Sequence, residues 1–160
     1  MSTLHILMAQ MNTMVGDFEG NTAKVLAVLA RAEQAHAAPV VVFPELTLTG
    51  YPPEDLLLRP SIAPRVAQSL AHICSAMNGG AYAIVGYPLL EDGVLYNAVG
   101  VLHRGRVLAQ YRKQCLPNYQ VFDEKRYFSP GSDACVLEIE GVTVGLTICE
   151  DIWEKEPALQ

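Results

Sequence analysis

Short apolar runs predict strands that alternate with helices in the first half of the chain. Residues 4–10 alternate loosely between apolar and polar side chains, which predicts a first strand. Residues 40–43 (VVVF) form a continuous apolar run, typical of a strand that is buried on both faces of a sheet. Residues 82–86 (YAIVG) predict a further strand.

The spacing of apolar residues that is typical of a helix occurs twice. Asn21 is a good N-cap for a helix through about Ala37, whose apolar face carries Val25, Leu26, Leu29 and Ala32. Pro39 then stops this helix. Ser61 opens a second helix, which ends at the glycine pair at residues 79–80.

Two hairpins are predicted in the second half of the chain. Residues 94–103 pair with residues 107–111, and residues 134–139 pair with residues 142–148. Residues 114–131, which lie between the hairpins, show no regular pattern. Because helices and strands alternate before the hairpins begin, the sequence predicts a mixed sheet covered by helices, an α/β layered fold.

Composition and charge narrow the possible functions. The 160 residues suggest one domain, and 51% hydrophobic with 18% charged residues are typical of a compact globular protein. The net charge is −6 and the basic residues are scattered, which disfavours nucleic-acid binding. No apolar run approaches the ~20 residues that span a bilayer, and the N-terminus lacks the basic segment of a signal peptide. We therefore expect no membrane partner.

The cysteines and histidines lack the spacing of a metal site or of a disulfide framework. The cysteines are Cys74, Cys115, Cys135 and Cys149, and the histidines are His5, His36, His72 and His103. We predict no metal, reduced thiols and a cytoplasmic location. Cys74 and Cys135 are interpreted as core residues, and Cys115 as a neighbour of a site rather than its nucleophile.

Three reactive side chains each lie just after the end of a predicted strand. Glu45 follows the apolar run at residues 40–43, Lys113 follows the strand at residues 107–111, and Cys149 follows the strand at residues 142–148. Sites in open α/β sheets collect where strands end. Taken singly, such residues are more often a loop carboxylate, a surface charge and a small buried thiol. Their joint pattern favours a common cleft.

The segments around these residues resemble the signature blocks of the nitrilase (carbon–nitrogen hydrolase) superfamily. The blocks are residues 43–46 (FPEL), residues 111–113 (YRK) with 116–118 (LPN), and residues 148–151 (ICED). More narrowly, the chain resembles the glutaminase domain of glutamine-dependent NAD⁺ synthetases, on residues 50–57, 113–128 and 148–153. This resemblance extends from residue 4 to the C-terminus.

The resemblance implies a fold and a set of catalytic roles. The fold is an α-β-β-α sandwich, incomplete here at its C-terminal end. The roles are a nucleophile at Cys149, a general base and acid at Glu45, a third triad member at Lys113, a second glutamate beside the lysine at Glu124 and a glutamine contact at Tyr119. The implied reaction is the hydrolysis of the glutamine side-chain amide.

These residue types suit amide hydrolysis. A free thiol has a pKa near ~8.5, so a nearby ammonium such as that of Lys113 favours the reactive thiolate. The Glu45 carboxylate can take the thiol proton and pass it to the departing nitrogen. Glu150, Asp151 and Glu154 would raise the pKa of Cys149 if they faced it. We interpret these three acids as residues of a helix start, where their negative charge interacts favourably with the helix dipole.

The resemblance also implies that residues 1–160 are the N-terminal part of a glutaminase domain within a longer protein. The separate synthetase domain, absent here, would use ATP and Mg²⁺ to amidate nicotinate adenine dinucleotide with the released ammonia. The chain lacks a GxxxxGK[ST] loop, so we expect no cofactor in it. Further expectations are glutamine as substrate, the synthetase domain as partner and a homo-oligomer. An isolated fragment is expected to be poorly stable, to self-associate or to lack normal activity.

Two alternatives stay open at this point. A free-standing amidase of the same superfamily would act on another amide. A non-catalytic truncated module would keep the triad residues without their activity. The two long blocks at residues 50–57 and 113–128 argue against the first alternative, and a Cys149 thiol without special reactivity would favour the second.

Overall fold

The computed structural model describes residues 3–35 and 39–160. The strands are β1 (Ile6–Met8), β2 (Val40–Val42), β3 (Tyr82–Glu91), β4 (Val94–His103), β5 (Arg106–Arg112), β6 (Val136–Ile139) and β7 (Val142–Gly145). The α-helices are α1 (Phe18–Gln34), α2 (Ile62–Ala76) and α3 (Lys155–Leu159). Short 3₁₀ turns span Glu54–Leu58, Glu124–Arg126 and Cys149–Ile152.

The strands form a mixed sheet and a separate hairpin, as the pattern predicts. The sheet has the order β1-β2-β3-β4-β5. Its first three strands run parallel, with Met8 opposite Val42 and Val42 opposite Ile84. β3, β4 and β5 are antiparallel neighbours, and β6 pairs with β7 in a second, two-stranded sheet.

The mixed sheet lies between the helices and the β6–β7 hairpin. On one face, α1 and α2 pack onto the sheet through a core of side chains that includes Phe18, Val25, Leu29, Val41, Val66, Ile73 and Val85. On the other face, Val40, Ile84, Val101 and Tyr111 meet Ile139, Leu146 and Ile148. β2 is therefore buried on both faces, as its continuous apolar run predicts.

The start of α1 differs from the prediction. Asp17 is the N-cap, because its Oδ1 accepts a hydrogen bond of 2.9 Å from the Gly20 backbone N–H. The predicted cap, Asn21, is fully buried within the helix, and its Nδ2 donates to the Met14 carbonyl at 2.8 Å and to the Leu48 carbonyl at 3.3 Å. The structure gives α1 as Phe18–Gln34. The predicted helix end near Ala37 lies outside the described residues.

Strand boundaries also differ from the prediction, most of all at the ends of β3 and β7. β3 continues to Glu91 instead of Gly86, because β4 pairs with it as far as Val94 opposite Glu91. β7 ends at Gly145 instead of Ile148, because the Ile148 backbone N–H donates to the Asp151 carboxylate and leaves the ladder. The chain thereby turns away from the sheet immediately before Cys149.

Candidate active site

Lys113, Glu45 and Glu124 come together where strands end. The ammonium Nζ of Lys113 lies 2.7 Å from Oε1 of Glu45 and 3.0 Å from each carboxylate oxygen of Glu124. Lys113 directly follows β5, and Glu45 lies three residues after β2. Two strand ends and the 3₁₀ turn at Glu124–Arg126 thus bring two carboxylates within hydrogen-bonding distance of one ammonium group.

The position of Glu45 is fixed by its own backbone. Phe43 donates its backbone N–H to the Ile84 carbonyl at 2.9 Å, which extends the β2–β3 pairing beyond the strand. Leu46 has a φ of 50°, in the left-handed region, and this turns the chain sharply after Glu45. The turn packs on Gly86 so closely that a Cβ added there would lie 2.6 Å from the Leu46 nitrogen.

Lys113 is fully buried, and its charge is matched by the two carboxylates. Burial favours the neutral amine and lowers the pKa of Lys113, but Glu45 and then Glu124 outweigh it, so the net pKa is raised. The backbone of Lys113 is held on both sides, because its N–H donates to the Asn97 carbonyl and its carbonyl accepts from Gly131, each at 2.8 Å. The ammonium is therefore a fixed, permanently charged group.

Glu124 is the second carboxylate that bonds the ammonium. Desolvation raises the pKa of its carboxyl, Lys113 lowers it and Glu45 raises it, and the net pKa lies above the ordinary value. The Tyr51 hydroxyl donates to Oε1 of Glu124 at 3.3 Å. The Glu124 backbone N–H donates to the Pro117 carbonyl at 3.1 Å, which anchors the 3₁₀ turn.

Cys149 faces the same site from the second sheet. It begins the 3₁₀ turn Cys149–Ile152 with a φ of 46°, an uncommon value for a residue other than glycine. Cys149 and Glu45 both line a cavity of about 190 Å³, whose walls also include Phe43, Ile84, Gly86, Val99 and Ile148. The structure thus places the predicted nucleophile and the predicted base around one space.

As expected, Lys113 favours the thiolate of Cys149, but the other influences on the thiol outweigh it. Burial is the largest influence on the thiol and raises its pKa. Glu45 raises the pKa further, Lys113 lowers it, and Glu124 and Glu150 raise it. Since the net pKa is raised, the resting thiol is protonated at neutral pH and needs a base at the moment of attack.

Asp151 is a helix-start residue, as predicted, and it has a further role that the sequence does not indicate. It lies in the turn that follows Cys149, but it is fully buried, and its carboxylate accepts four hydrogen bonds. Oδ2 accepts from the Tyr111 hydroxyl at 2.8 Å and from the Ile148 N–H at 3.0 Å, and Oδ1 accepts from the Gln114 and Cys115 N–H groups at 3.1 and 2.7 Å. Asp151 therefore joins the segment after Lys113 to the residue before Cys149.

Tyr119 and Glu150 form a pair at the edge of the site. The Tyr119 hydroxyl lies 3.0 and 3.1 Å from the two carboxylate oxygens of Glu150 and donates to them. Tyr119 is half exposed, so its ring is accessible to a bound molecule. Of the three acids near Cys149, Glu150 lies in the turn as predicted, and Glu154 immediately precedes α3 at its N-cap.

Asn97 is a site residue that the sequence reasoning missed. It is fully buried in β4, and its Nδ2 donates to Oε1 of Glu45 at 2.7 Å and to Oε2 of Glu124 at 3.4 Å. A signal was present, because Asn97 is the one amide side chain in this mostly apolar strand. A buried polar residue in an apolar strand needs partners, and this need marks it as part of a polar site.

The other cysteines and histidines that the structure describes lie outside this arrangement. Cys74 is buried in the helix–sheet core and Cys135 packs against the hairpin core, as predicted. His36 lies outside the described residues. Across residues 3–35 and 39–160, no group of three or more His, Cys, Asp or Glu side chains is arranged to hold a metal ion. Within the same ranges, no helix has the length and hydropathy to cross a membrane.

Comparison with known proteins places this site in a wider context. The profile of the family described as carbon-nitrogen hydrolase matches residues 6–160. The glutamine-dependent NAD(+) synthetase of Xanthomonas campestris is 49% identical over 97% of this chain, and that of Aquifex aeolicus is 45% identical over 98% of it. The chain spans 28% of the length of each of these curated relatives.

Solved structures show the same fold. The glutamine-dependent NAD+ synthetase of Acinetobacter baumannii superposes with a TM-score of 0.93 at 37% identity, over 98% of this chain and 29% of that one. An amidase from a Nesterenkonia species gives a TM-score of 0.85 at 24% identity, over 96% of this chain and 58% of that one. The second likeness concerns the fold alone. Together with the layers described above, these superpositions confirm the predicted fold class.

Proposed function

The chain belongs to the carbon-nitrogen hydrolase family, and from this premise we propose that it carries the glutamine-hydrolysing site of a glutamine-dependent NAD⁺ synthetase. The observation that carries the proposal is the Lys113 ammonium, held 2.7 Å from Glu45 and 3.0 Å from Glu124 beside the cavity that Cys149 lines. The identity of 49% over 97% of the chain to a curated synthetase supports the choice of substrate.

The first half of the proposed reaction makes a thioester. Glu45 takes the proton of the Cys149 thiol as the sulfur attacks the amide carbon of glutamine. The resulting tetrahedral oxyanion is stabilised by the fixed positive charge of Lys113. Glu45 then gives its proton to the amide nitrogen, the carbon–nitrogen bond breaks, and ammonia leaves.

The second half regenerates the enzyme. Glu45, again a carboxylate, takes a proton from a water molecule as the water oxygen attacks the thioester carbon. The carbon–sulfur bond breaks, the thiolate recovers the proton from Glu45, and glutamate is released. A resting thiol with a raised pKa suits this cycle, because Glu45 moves a proton to or from sulfur in both halves.

Glu124 and Tyr119 have supporting roles in this proposal. Glu124 bonds the Lys113 ammonium through both of its carboxylate oxygens and so holds it in place. Tyr119 contacts the amino-acid part of glutamine, for which its half-exposed ring at the site edge is suited. Neither residue exchanges a proton with the reacting amide.

The released ammonia has a proposed destination beyond these residues. We assign residues 1–160 to the N-terminal part of a glutaminase domain, because the chain spans 28% of the curated synthetases that it matches. A synthetase domain of the longer protein would use ATP and Mg²⁺ to adenylate nicotinate adenine dinucleotide and would amidate the adenylate with this ammonia. The proposed contribution of the present chain is ammonia supply alone.

A covalent label tests the proposal directly. The protein is treated with a glutamine-mimicking diazoketone, and its intact mass is measured for the wild type, Cys149→Ala and Cys115→Ala. We expect one adduct on the wild type and on Cys115→Ala, none on Cys149→Ala, and protection by excess glutamine. Cys115 is the matched control, because it lies two residues from Lys113 and has its own raised pKa.

Other outcomes of the label distinguish the alternatives. Labelling that glutamine does not block, with faster turnover of propionamide than of glutamine, would indicate an amidase of different specificity. Equal alkylation of all four thiols by a small reagent, without any diazoketone adduct, would contradict an assembled site and favour a non-catalytic module.

A further inference from the structure

The two oxygens of the Glu45 carboxylate have different surroundings. Oε1 accepts two hydrogen bonds of 2.7 Å, one from the Lys113 ammonium and one from the Asn97 side-chain amide. Oε2 accepts no hydrogen bond from the described part of the chain. Glu45 keeps a side-chain exposure of 18%, and it lines the cavity that Cys149 also lines. Among the described residues, both hydrogen-bond donors to Glu45 therefore bond Oε1, and Oε2 has none.

Asn97 contacts every charged member of this cluster. Its Nδ2 bonds Glu45 and reaches Glu124 at 3.4 Å, and its backbone carbonyl accepts the Lys113 N–H at 2.8 Å. The orientation of the amide follows from chemistry, because ionised carboxylates only accept hydrogen bonds and must face the NH₂ group. Its position in the middle of the sheet, between β3 and β5, gives it little freedom to move.

The orientation of this amide leaves its own oxygen unpartnered. Asn97 Oδ1 is buried and accepts no hydrogen bond from the described residues. Buried acceptors without a partner are rare, and each one lowers the stability of the fold. An apolar side chain of the same size would avoid this loss but could not bond Glu45. The retention of an amide here is explained if the bond to Glu45 is needed for function.

On these grounds we propose that Asn97 is a positioning residue that selects the proton-carrying oxygen of Glu45. Asn97 and Lys113 together occupy Oε1, so the thiol proton of Cys149 and the protons of the later steps pass through Oε2. Asn97 itself neither touches the substrate nor exchanges a proton. This inference rests on the proposed function, since it assigns a direction to the proton transfer that amide hydrolysis requires.

Two substitutions test the hydrogen-bond donor of the Asn97 side chain apart from the volume and the charge of that side chain. Asn97→Leu keeps the approximate volume without a donor, and Asn97→Asp keeps the shape but presents an ionised acceptor. We expect kcat to fall by about 100-fold in both, the effect of misplacing a catalytic group by about 1 Å, with KM within threefold. Turnover within threefold of wild type in Asn97→Leu, or a loss in Asn97→Asp alone, would overturn the proposal.

A matched control addresses folding. Thr22 also has a buried side-chain oxygen without a partner among the described residues, and it lies in α1, outside the site. Thr22→Val removes that oxygen at constant shape and is expected to leave kcat unchanged. Thermal melting of all three variants shows whether they are folded. A KM increase at constant kcat in Asn97→Leu would assign Asn97 to the frame of the pocket and refute the positioning role.

A second measurement needs no turnover. The side-chain amide of Asn97 is identified in ¹⁵N-edited NMR spectra by its loss in Asn97→Asp. Its proton shifts and slow hydrogen exchange are expected to change in Glu45→Gln and to persist in Cys149→Ala. An unchanged signal in Glu45→Gln would overturn the proposal. By contrast, failure of the proposed function is seen as turnover or diazoketone labelling that survives Cys149→Ala, a result that leaves the NMR test of Asn97 intact.

Discussion

The carboxylate of Asp151 accepts a hydrogen bond of 2.8 Å from the hydroxyl of Tyr111, and this bond links the strand that leads to Lys113 with the turn that holds Cys149. The same carboxylate accepts the N–H groups of Gln114, Cys115 and Ile148. One buried anion thereby fixes the separation of the predicted nucleophile from the predicted cation. The two follow strands of different sheets, which are not paired with each other within the described residues.

Replacement of Asp151 by alanine is expected to destabilise the protein by about 3–5 kcal/mol, because two buried and two partly buried donors lose a buried acceptor at once. Tyr111→Phe removes one of these bonds and is expected to cost about 1–2 kcal/mol. Denaturant unfolding measures both values. In the double variant the two losses should not add, since they share one bond. Tyr96→Phe is the control, because Tyr96 stacks on Arg112 without a hydroxyl bond in the described structure.

The limits of sequence reasoning are visible in these same residues. Strand ends predicted that Glu45, Lys113 and Cys149 would approach one cleft, since chain direction and apolar runs are local properties. The sequence predicts Asp151 as a helix-start acid but not its further bonds, because the partners at Tyr111 and Cys115 lie 36–40 residues away in the sequence. Asn21 was placed as a cap for the same reason, since its partner Leu48 lies 27 residues away. Long-range polar contacts leave no periodic trace.

Removal of the Lys113 charge is expected to make stability strongly dependent on pH. In Lys113→Met, Glu45 and Glu124 face each other without a cation, and we expect a loss of about 3–5 kcal/mol at neutral pH. Burial already raises the pKa of Glu124 in the folded state, and loss of the lysine raises it further. The folded chain then binds a proton at a pH where the unfolded chain, with a Glu pKa of about 4.3, does not.

The sign of this dependence follows from proton linkage. Because the folded pKa of Glu124 lies above the unfolded one, stability decreases as pH rises through the folded pKa and recovers as pH falls towards the unfolded value. The deficit of Lys113→Met should therefore shrink between neutral pH and about pH 5 in thermal melts. Lys24→Met is the matched control, since Lys24 is exposed and bonds a backbone carbonyl. A deficit that is equal at both pH values would contradict the prediction.

The reactivity of Cys149 is expected to reveal its raised pKa. Burial and then Glu45 raise this pKa while Lys113 lowers it, so alkylation by iodoacetamide should have its midpoint above the ~8.5 of an ordinary thiol. Glu45→Gln removes a negative charge and should move the midpoint down, whereas Lys113→Met should move it up. Mass spectrometry of the Cys149 peptide against pH measures all three. A midpoint below neutrality in the wild type would refute the assignment of Glu45 as the base that the thiol requires.

Tyr119→Phe is expected to affect substrate binding more than chemistry. The change removes the hydroxyl that bonds Glu150 at the edge of the site, and both groups lie where the amino-acid part of glutamine would bind in the proposed function. We expect KM for glutamine to rise at least threefold with kcat nearly unchanged, the pattern of a lost uniform binding interaction. Propionamide lacks the amino-acid part, so its kinetics should not change. An equal effect on both substrates would place Tyr119 in the reaction itself.

A substitution at Gly86 tests how closely the backbone around Glu45 must pack against β3. A methyl group at this position would lie 2.6 Å from the Leu46 nitrogen and 2.9 Å from the Pro44 carbonyl oxygen, and these atoms belong to backbone that cannot rotate away. Gly86→Ala should therefore push the Glu45 segment outward, with a loss of about 1–3 kcal/mol in stability. Turnover of glutamine should fall by about 100-fold, because a displacement of about 1 Å is enough to misplace a catalytic base. Gly145→Ala is the matched control, since Gly145 is also a strand glycine but has open space around an added methyl group. If Gly86→Ala lost stability but kept its kcat, the position of the Glu45 backbone against β3 would not limit the reaction. The close packing at Gly86 would then contribute to the stability of the sheet alone.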